Sequence, residues 1–198
     1  KEFFSALFKA IEGAREHVHV QYYIIRHDKL GRSLLDLLMR KSREGVEVRL
    51  LVDGMGTRLP PGRYRSLHDA GVKVELFFPP LVRILPFLNH RINFRNHRKI
   101  VVVDGRIGFV GGYNVGDEYL GKVRRWGYWR DAALRLEGMA AMALQLRFIL
   151  DWNEASKDKM DVEDRYFPQD APRRGSVPVQ IVSSGPDSAR TPIKDEYL

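Results

Sequence analysis

Between residues 2 and 16 the apolar positions Phe4, Leu7, Phe8, Ile11 and Ala14 fall at spacings of three and four, which predicts a helix with one face on a core. The run from His17 to Ile25 is rich in β-branched and aromatic residues and predicts a strand, with a turn over Asp28 to Gly31. Leu34, Leu35, Leu37 and Leu38 mark a second helix over about 33–44, which Gly45 stops before an extended segment at 46–52. A shorter helix near 64–69, closed by Ala70 and Gly71, leads into a further strand at 72–78. Strands that alternate with helices predict an α/β fold, its sheet mixed but largely parallel, with helices covering both faces. Farther along come an apolar, proline-punctuated segment at 79–88, strands at 99–103, 106–111 and 132–136, and a long helix over 139–154. Residues 156–178 are charged, contain proline and lack periodicity, so they read as a linker after a domain at 1–155. Val179 to Val182 reads as the first strand of a unit that residues 179–198 begin and do not complete.

Composition narrows the picture only a little. The chain has 198 residues, 44% hydrophobic and 29% charged, enough for one substantial core. No run approaches the roughly 20 apolar residues of a membrane span, and the first residues lack signal-peptide order. A formal charge of +8 favours an anionic partner but does not distinguish nucleic acid, anionic lipid and phosphorylated small molecules. Without cysteine there are no disulfides or thiolate metal sites, and the six histidines show no zinc spacing, so neither metal nor cofactor is expected.

The chemistry concentrates around one hairpin. Asp104-Gly105 between two apolar runs is a strong signal for a two-residue turn, which would pair Val103 with Arg106 and set His97 opposite Gly112. In that register His97, Lys99, Gly112 and Asn114 project from one face of the ladder. Gly111 and Gly112 would then let a substrate approach the backbone. A phosphodiester repels nucleophiles until its oxygens are neutralised, a task for the Lys99 charge and the Asn114 amide. A neutral imidazole at His97 is nucleophilic near pH 7 and can form a covalent phospho-enzyme.

The sequence His97-Arg98-Lys99, then Asp104, then Gly111-Gly112-Tyr113-Asn114 resembles the H-x-K-x4-D and G-G-x-N motifs of the phospholipase D superfamily. At average residue usage the six positions match by chance roughly once in 10⁶ such chains. Asn93 to Lys99, Val115 to Tyr119 and Trp129-Arg130-Asp131 resemble the bacterial cardiolipin synthase branch in particular, as do Tyr23, Asp28, Gly31 and Asp53. The resemblance implies an α/β/α sandwich, one half of a two-half enzyme that joins two phosphatidylglycerols into cardiolipin and releases glycerol. It also implies a second motif, in the same chain or a second copy, whose histidine serves as general acid, and a membrane anchor in the full-length protein. Its setting would be the bacterial cytoplasmic membrane, with this segment peripheral and anionic phospholipid favoured over nucleic acid. Many superfamily members have serine where Gly112 stands, so a hydroxyl contact to phosphate is missing here.

Other residues are weighed against plainer explanations. Asp104 belongs to the motif, yet a turn before glycine accounts for it without chemistry. The resemblance assigns Asp131 the role of orienting His97 through its other ring nitrogen, as in catalytic triads. His27-Asp28-Lys29 also reads H-x-K, but Leu34 stands where the acid belongs, so it is a decoy. The alternating His17 and His19 read as structural. The segment from Leu76 to Leu88 leads into Arg91, Arg95 and Arg98 and reads as an interfacial element. Water instead of an alcohol as acceptor would make the same centre a phospholipase or nuclease, and a half without its partner would only bind phosphate or lipid.

Overall fold

A computed structural model describes residues 2–77, 96–124, 127–170 and 177–183. The N-terminal helix α1 (Glu2–Glu12) buries Phe4, Leu7 and Ile11, the stripe that the spacing predicts. Strand β1 (His17–Tyr22) follows, then helix α2 (Lys29–Arg43). The expected turn at residues 28–31 is instead the first turn of α2, because the Asp28 Oδ1 accepts the Gly31 amide at 3.0 Å and caps the helix there. Gly45 takes a φ of +89° just after that helix, a conformation that glycine adopts without penalty. Strand β2 (Glu47–Asp53), helix α3 (Pro61–Asp69) and strand β3 (Lys73–Phe77) complete the alternating portion. Strands β4 (Ile100–Val103), β5 (Ile107–Gly111) and β6 (Ala133–Glu137) precede the long helix α4 (Met139–Ala155).

These strands form one sheet in the order β3-β2-β1-β4-β5-β6. Its parallel part is smaller than the sequence suggests. Only β1–β2 and β2–β3 are parallel, while β4 runs antiparallel to β1 and the β4-β5-β6 meander is antiparallel throughout. Helical crossovers return a strand in the same direction, whereas the tight reversal after β4 cannot. At that reversal Asp104 and Gly105 have φ of 52° and 63°, and the Arg106 amide donates to the Val103 carbonyl at 3.0 Å. The ladder resumes with Val103 opposite Ile107, one position later than a two-residue loop would give.

The two faces of the sheet bury different chemistry. Helices α1 to α3 cover Val18, Val20, Tyr22, Val48, Leu50, Val52, Val101, Val103 and Phe109. Leu34, Leu35 and Leu38 are wholly buried there, and each contributes roughly 2 kcal/mol by removal from water. The other face packs α4 through Leu144, Phe148 and Trp152 against Leu51, Ile100 and Val102. It is polar at its centre, where the His19 ring stacks on Phe148 at 4.8 Å and meets Gln145 at 3.0 Å. His17 and His19 are thus structural, and burial pulls the His17 imidazole down to about 3, so it stays neutral.

The stretch expected to be a linker from residue 156 is in part core. Met160 and Tyr166 are buried with Phe148 and Trp152, and the Tyr166 hydroxyl donates to Glu47 at 2.8 Å. Two isolated apolar side chains in a polar run supply no periodicity, yet they strap this segment across the sheet. Residues 177–183 form no regular element in place of the expected strand, and Ile181 packs against Ile100, Val102 and Leu144. The interfacial candidate lies outside the described residues from 78 onward, as do Arg91, Arg95, Trp126 and residues 184–198.

Candidate functional site

Gln21 near the end of β1 pairs with Ile100 at the start of β4, so residues just before β4 lie at the carboxyl edge of the parallel strands. Open α/β sheets place their ligands along that edge. There β2 ends in Asp53, whose Oδ1 accepts the amides of Met55 and Gly56, each at 2.8 Å. A Cβ on Gly56 would sit 2.4 Å from the Tyr23 carbonyl oxygen and 3.1 Å from its ring, so glycine there admits Tyr23. Thr57 Oγ1 donates to the Tyr23 carbonyl at 3.0 Å and accepts the Ile25 amide at 3.0 Å. The Tyr23 ring so held lies 4.7 Å from that of His97, centroid to centroid, and 5.6 Å from Lys99 Nζ.

His97 and Lys99 meet directly. Lys99 Nζ lies 3.0 Å from His97 Nδ1 and donates to the His97 carbonyl at 2.7 Å. Burial lowers the affinity of His97 for a proton, the Lys99 charge lowers it further, and the Asp53 carboxylate opposes both. Burial likewise pulls the Lys99 ammonium down to about 8, against the charge of Asp131. At pH 7 the pair is therefore a cation beside a neutral imidazole, with Lys99 Nζ 3.0 Å from one ring nitrogen and 3.3 Å from the other.

Asn114 reaches this neighbourhood by a route other than the expected ladder. Extending the observed register sets Lys99 across from Gly111 and His97 across from Tyr113, so Gly112 does not face the imidazole. The chain instead leaves the ladder after Gly111 and crosses to the end of β1, where Val115 donates to the Ile24 carbonyl at 3.0 Å. Asn114 Oδ1 accepts the Ile24 amide at 3.1 Å, and its Nδ2 donates to the Tyr119 hydroxyl at 3.0 Å. The side chain is buried, and these two bonds fix its orientation beyond the end of β1.

The room that Gly111 and Gly112 leave is filled by the protein and not by substrate. A Cβ on Gly111 would meet Ala132 and Ala133 at 2.6 Å, and one on Gly112 would meet Asp131 Oδ1 at 2.0 Å. Asp131 is exposed, accepts its neighbour Ala132's amide at 2.8 Å, and acts through its charge on Lys99. The carboxylate whose charge reaches His97 is Asp53. Asp104 stands at the far end of β4, roughly 20 Å along the strand from His97. Its two oxygens accept the amides of Arg15, Glu16 and His17, each at 2.9 Å, which makes it the clasp that opens β1. Arg98, expected beside the centre as surface charge, turns to the opposite face and pairs with Asp151. The tie of Lys99 to Asp131 yields a test. Asp131→Asn lowers the Lys99 titration below 8 in an NMR titration of ¹³C-lysine, and Gly112→Ala does the same because its methyl group displaces the carboxylate. An unmoved lysine resonance in both variants refutes the tie.

Beside Asp131 opens a cleft of about 1040 Å³ whose wall includes Phe3, Tyr113, Leu120, Tyr128 and Trp129. Trp129 packs edge-on to Tyr119 at 4.9 Å, while Tyr128 projects into solvent, 89% exposed. Tyr23 and Asp53 carried the sequence resemblance without a role. The signal that could have placed them is their position at the carboxyl ends of parallel strands, Asp53 as the last residue of β2 and Tyr23 just past β1.

The family model described as "Cardiolipin synthase, PLD-like domain" matches residues 7–125. A cardiolipin synthase of Staphylococcus aureus strain Mu50 is 52% identical over 200 residues, covering 100% of this chain and 40% of its own length. One from Oceanobacillus iheyensis is 50% identical over 196 residues, with 98% and 40% covered. The chain thus spans about two fifths of the length of these relatives. Among solved structures, phosphatidylserine synthase of Haemophilus influenzae Rd KW20 superimposes with a TM-score of 0.57 at 19% identity, covering 76% of this chain and 34% of that one. NucT from Helicobacter pylori superimposes at 0.54 with 15% identity, covering 78% and 89%. Both likenesses bear on the fold alone, an α/β sandwich of the phospholipase D type. A match across more than half of the chain, together with relatives at half identity along its whole length, establishes that the chain belongs to the cardiolipin synthase, PLD-like domain family.

Proposed function

We propose that this chain supplies the first half of a phosphatidyltransferase that condenses two phosphatidylglycerols into cardiolipin and glycerol at a membrane surface. The observation that supports this most is the neutral His97 ring held with the Lys99 ammonium 3.0 Å from its Nδ1, at the carboxyl edge of the parallel strands. An imidazole nitrogen attacks phosphorus of the first lipid, the bond to the headgroup glycerol oxygen breaks, and that oxygen takes a proton from a general acid of the second half. The resulting phosphatidyl-histidine is attacked by a hydroxyl of the second lipid's glycerol, which gives its proton back to that group. The P–N bond breaks and cardiolipin leaves. Lys99 and the Asn114 amide stabilise the charge that builds on the phosphoryl oxygens.

The aromatic cleft beside Asp131 offers apolar surface with polar tips, suited to the glycerol and ester region of a lipid. Among the described residues no helix is long and apolar enough to cross a membrane. Phosphatidylglycerol vesicles incubated with the complete enzyme should yield cardiolipin and glycerol in equal amounts, read by mass spectrometry. Phosphatidic acid as sole product would assign a hydrolase instead, and nicking of plasmid DNA in a parallel reaction would assign a nuclease. Binding without turnover by the complete enzyme would leave only a lipid-binding module.

A further inference from the structure

The reactive pair sits on backbone that the sheet does not hold. Strand β4 begins its ladder at Ile100, so His97 and Lys99 precede the first paired residue. What fixes this stretch lies on its opposite side. Arg98 stands between the two, and its side chain turns toward α4, the face on which Ile100 and Val102 pack. There Arg98 Nη1 donates to Asp151 at 3.1 and 3.3 Å. The Asp151 side chain is wholly buried, and it also receives Gln21 Nε2 at 2.8 Å and the Arg147 guanidinium. Asn96 Oδ1 accepts the Arg98 amide at 3.1 Å and closes a local turn.

Resting on the phosphatidyltransferase reading, we propose that Asp151 is a positioning residue for His97 and Lys99 and acts through Arg98. The carboxylate on α4, itself tied to β1 by Gln21, pins the middle residue of His97-Arg98-Lys99 from behind. Rotation of the backbone at residue 98 is thereby limited. The approach of the Lys99 ammonium to both the imidazole and the His97 carbonyl depends on that rotation. Arg147 offers a contrast, because it bonds the same carboxylate but belongs to α4 and has no covalent link to the reactive segment. The groups whose charges act on His97 are Lys99 and Asp53, and Tyr23 borders the ring.

The test uses the complete enzyme. Asp151→Asn lowers kcat on the order of 10²-fold with KM little changed, the scale of loss that slight misplacement of a reacting group produces. The same variant shifts the acid limb of the rate profile upward, because Lys99 no longer crowds the imidazole. Arg98→Met, at a side chain 26% exposed, reproduces both effects and carries the test if Asp151→Asn fails to fold. Arg98→Lys recovers part of each, whereas Arg147→Met weakens thermal stability and leaves the acid limb in place. A fall in kcat that only tracks the folded fraction, with the acid limb unmoved, overturns the proposal. So does an equal shift in Arg147→Met. If the wild type turns over no phosphatidylglycerol, the reaction assigned above fails, yet NMR titration of the His97 imidazole still reads the clamp by the same upward shift.

Discussion

Exchange of His97 for asparagine lowers turnover of the complete enzyme by about 10⁵-fold, the scale seen when a covalent nucleophile is removed. Asparagine preserves a polar group of similar reach next to Tyr23 and Lys99, but its amide cannot attack phosphorus. Binding and charge neutralisation survive, so the loss falls on kcat. The wild type, incubated with phosphate-labelled phosphatidylglycerol and quenched in alkaline denaturant, retains label on the protein; the asparagine variant retains none. Label that persists in the variant, or turnover within about tenfold of the wild type, assigns the nucleophile elsewhere.

Lys99→Met lowers kcat/KM by about 10²- to 10³-fold, the typical loss when one charge-stabilising donor is removed from a developing oxyanion. Methionine fills much of the volume of this buried side chain, so the fold is retained. The change also reaches His97. Since the ammonium is one of the causes that hold His97 below its ordinary range, its loss shifts the imidazole upward and the acid limb rises with it. The alkaline limb near 8, which belongs to Lys99 itself, disappears. Lys99→Arg restores little, because a planar guanidinium cannot take the place of a compact ammonium folded back on the His97 carbonyl. A methionine variant with both limbs intact contradicts this assignment.

Much of the architecture could be read from local pattern. The stripes of α1 and α2, and the β-branched runs of β1, β2 and β4, are strongly periodic and bury nearly what their spacing predicts. Asp104-Gly105 announced its turn, but the dipeptide does not say whether Arg106 joins the ladder, and that residue decides the register of everything after it. The expected route of Asn114 toward His97 and Lys99 was the hairpin ladder, which the chain leaves after Gly111. Asn114 arrives through hydrogen bonds to Ile24 and Tyr119, made after the strand has ended. Tyr23 and Asp53 join His97 only because the sheet inserts β4 beside β1, a fact of topology that no window along the chain contains. The role of Asp104 was decided by three amides some 87 to 89 residues away in sequence.

The overlap between a side chain at 112 and the Asp131 carboxylate has a bearing on how such chains can diverge. The two positions share one small volume, so a hydroxymethyl group and an aspartate compete for it. Drift at either site is then constrained by the other, and a lineage acquiring serine at the first is driven to shorten or relocate the acid at the second. Natural exchanges here are expected to travel as linked pairs, with the proton affinity of the neighbouring lysine as the property that keeps them in step.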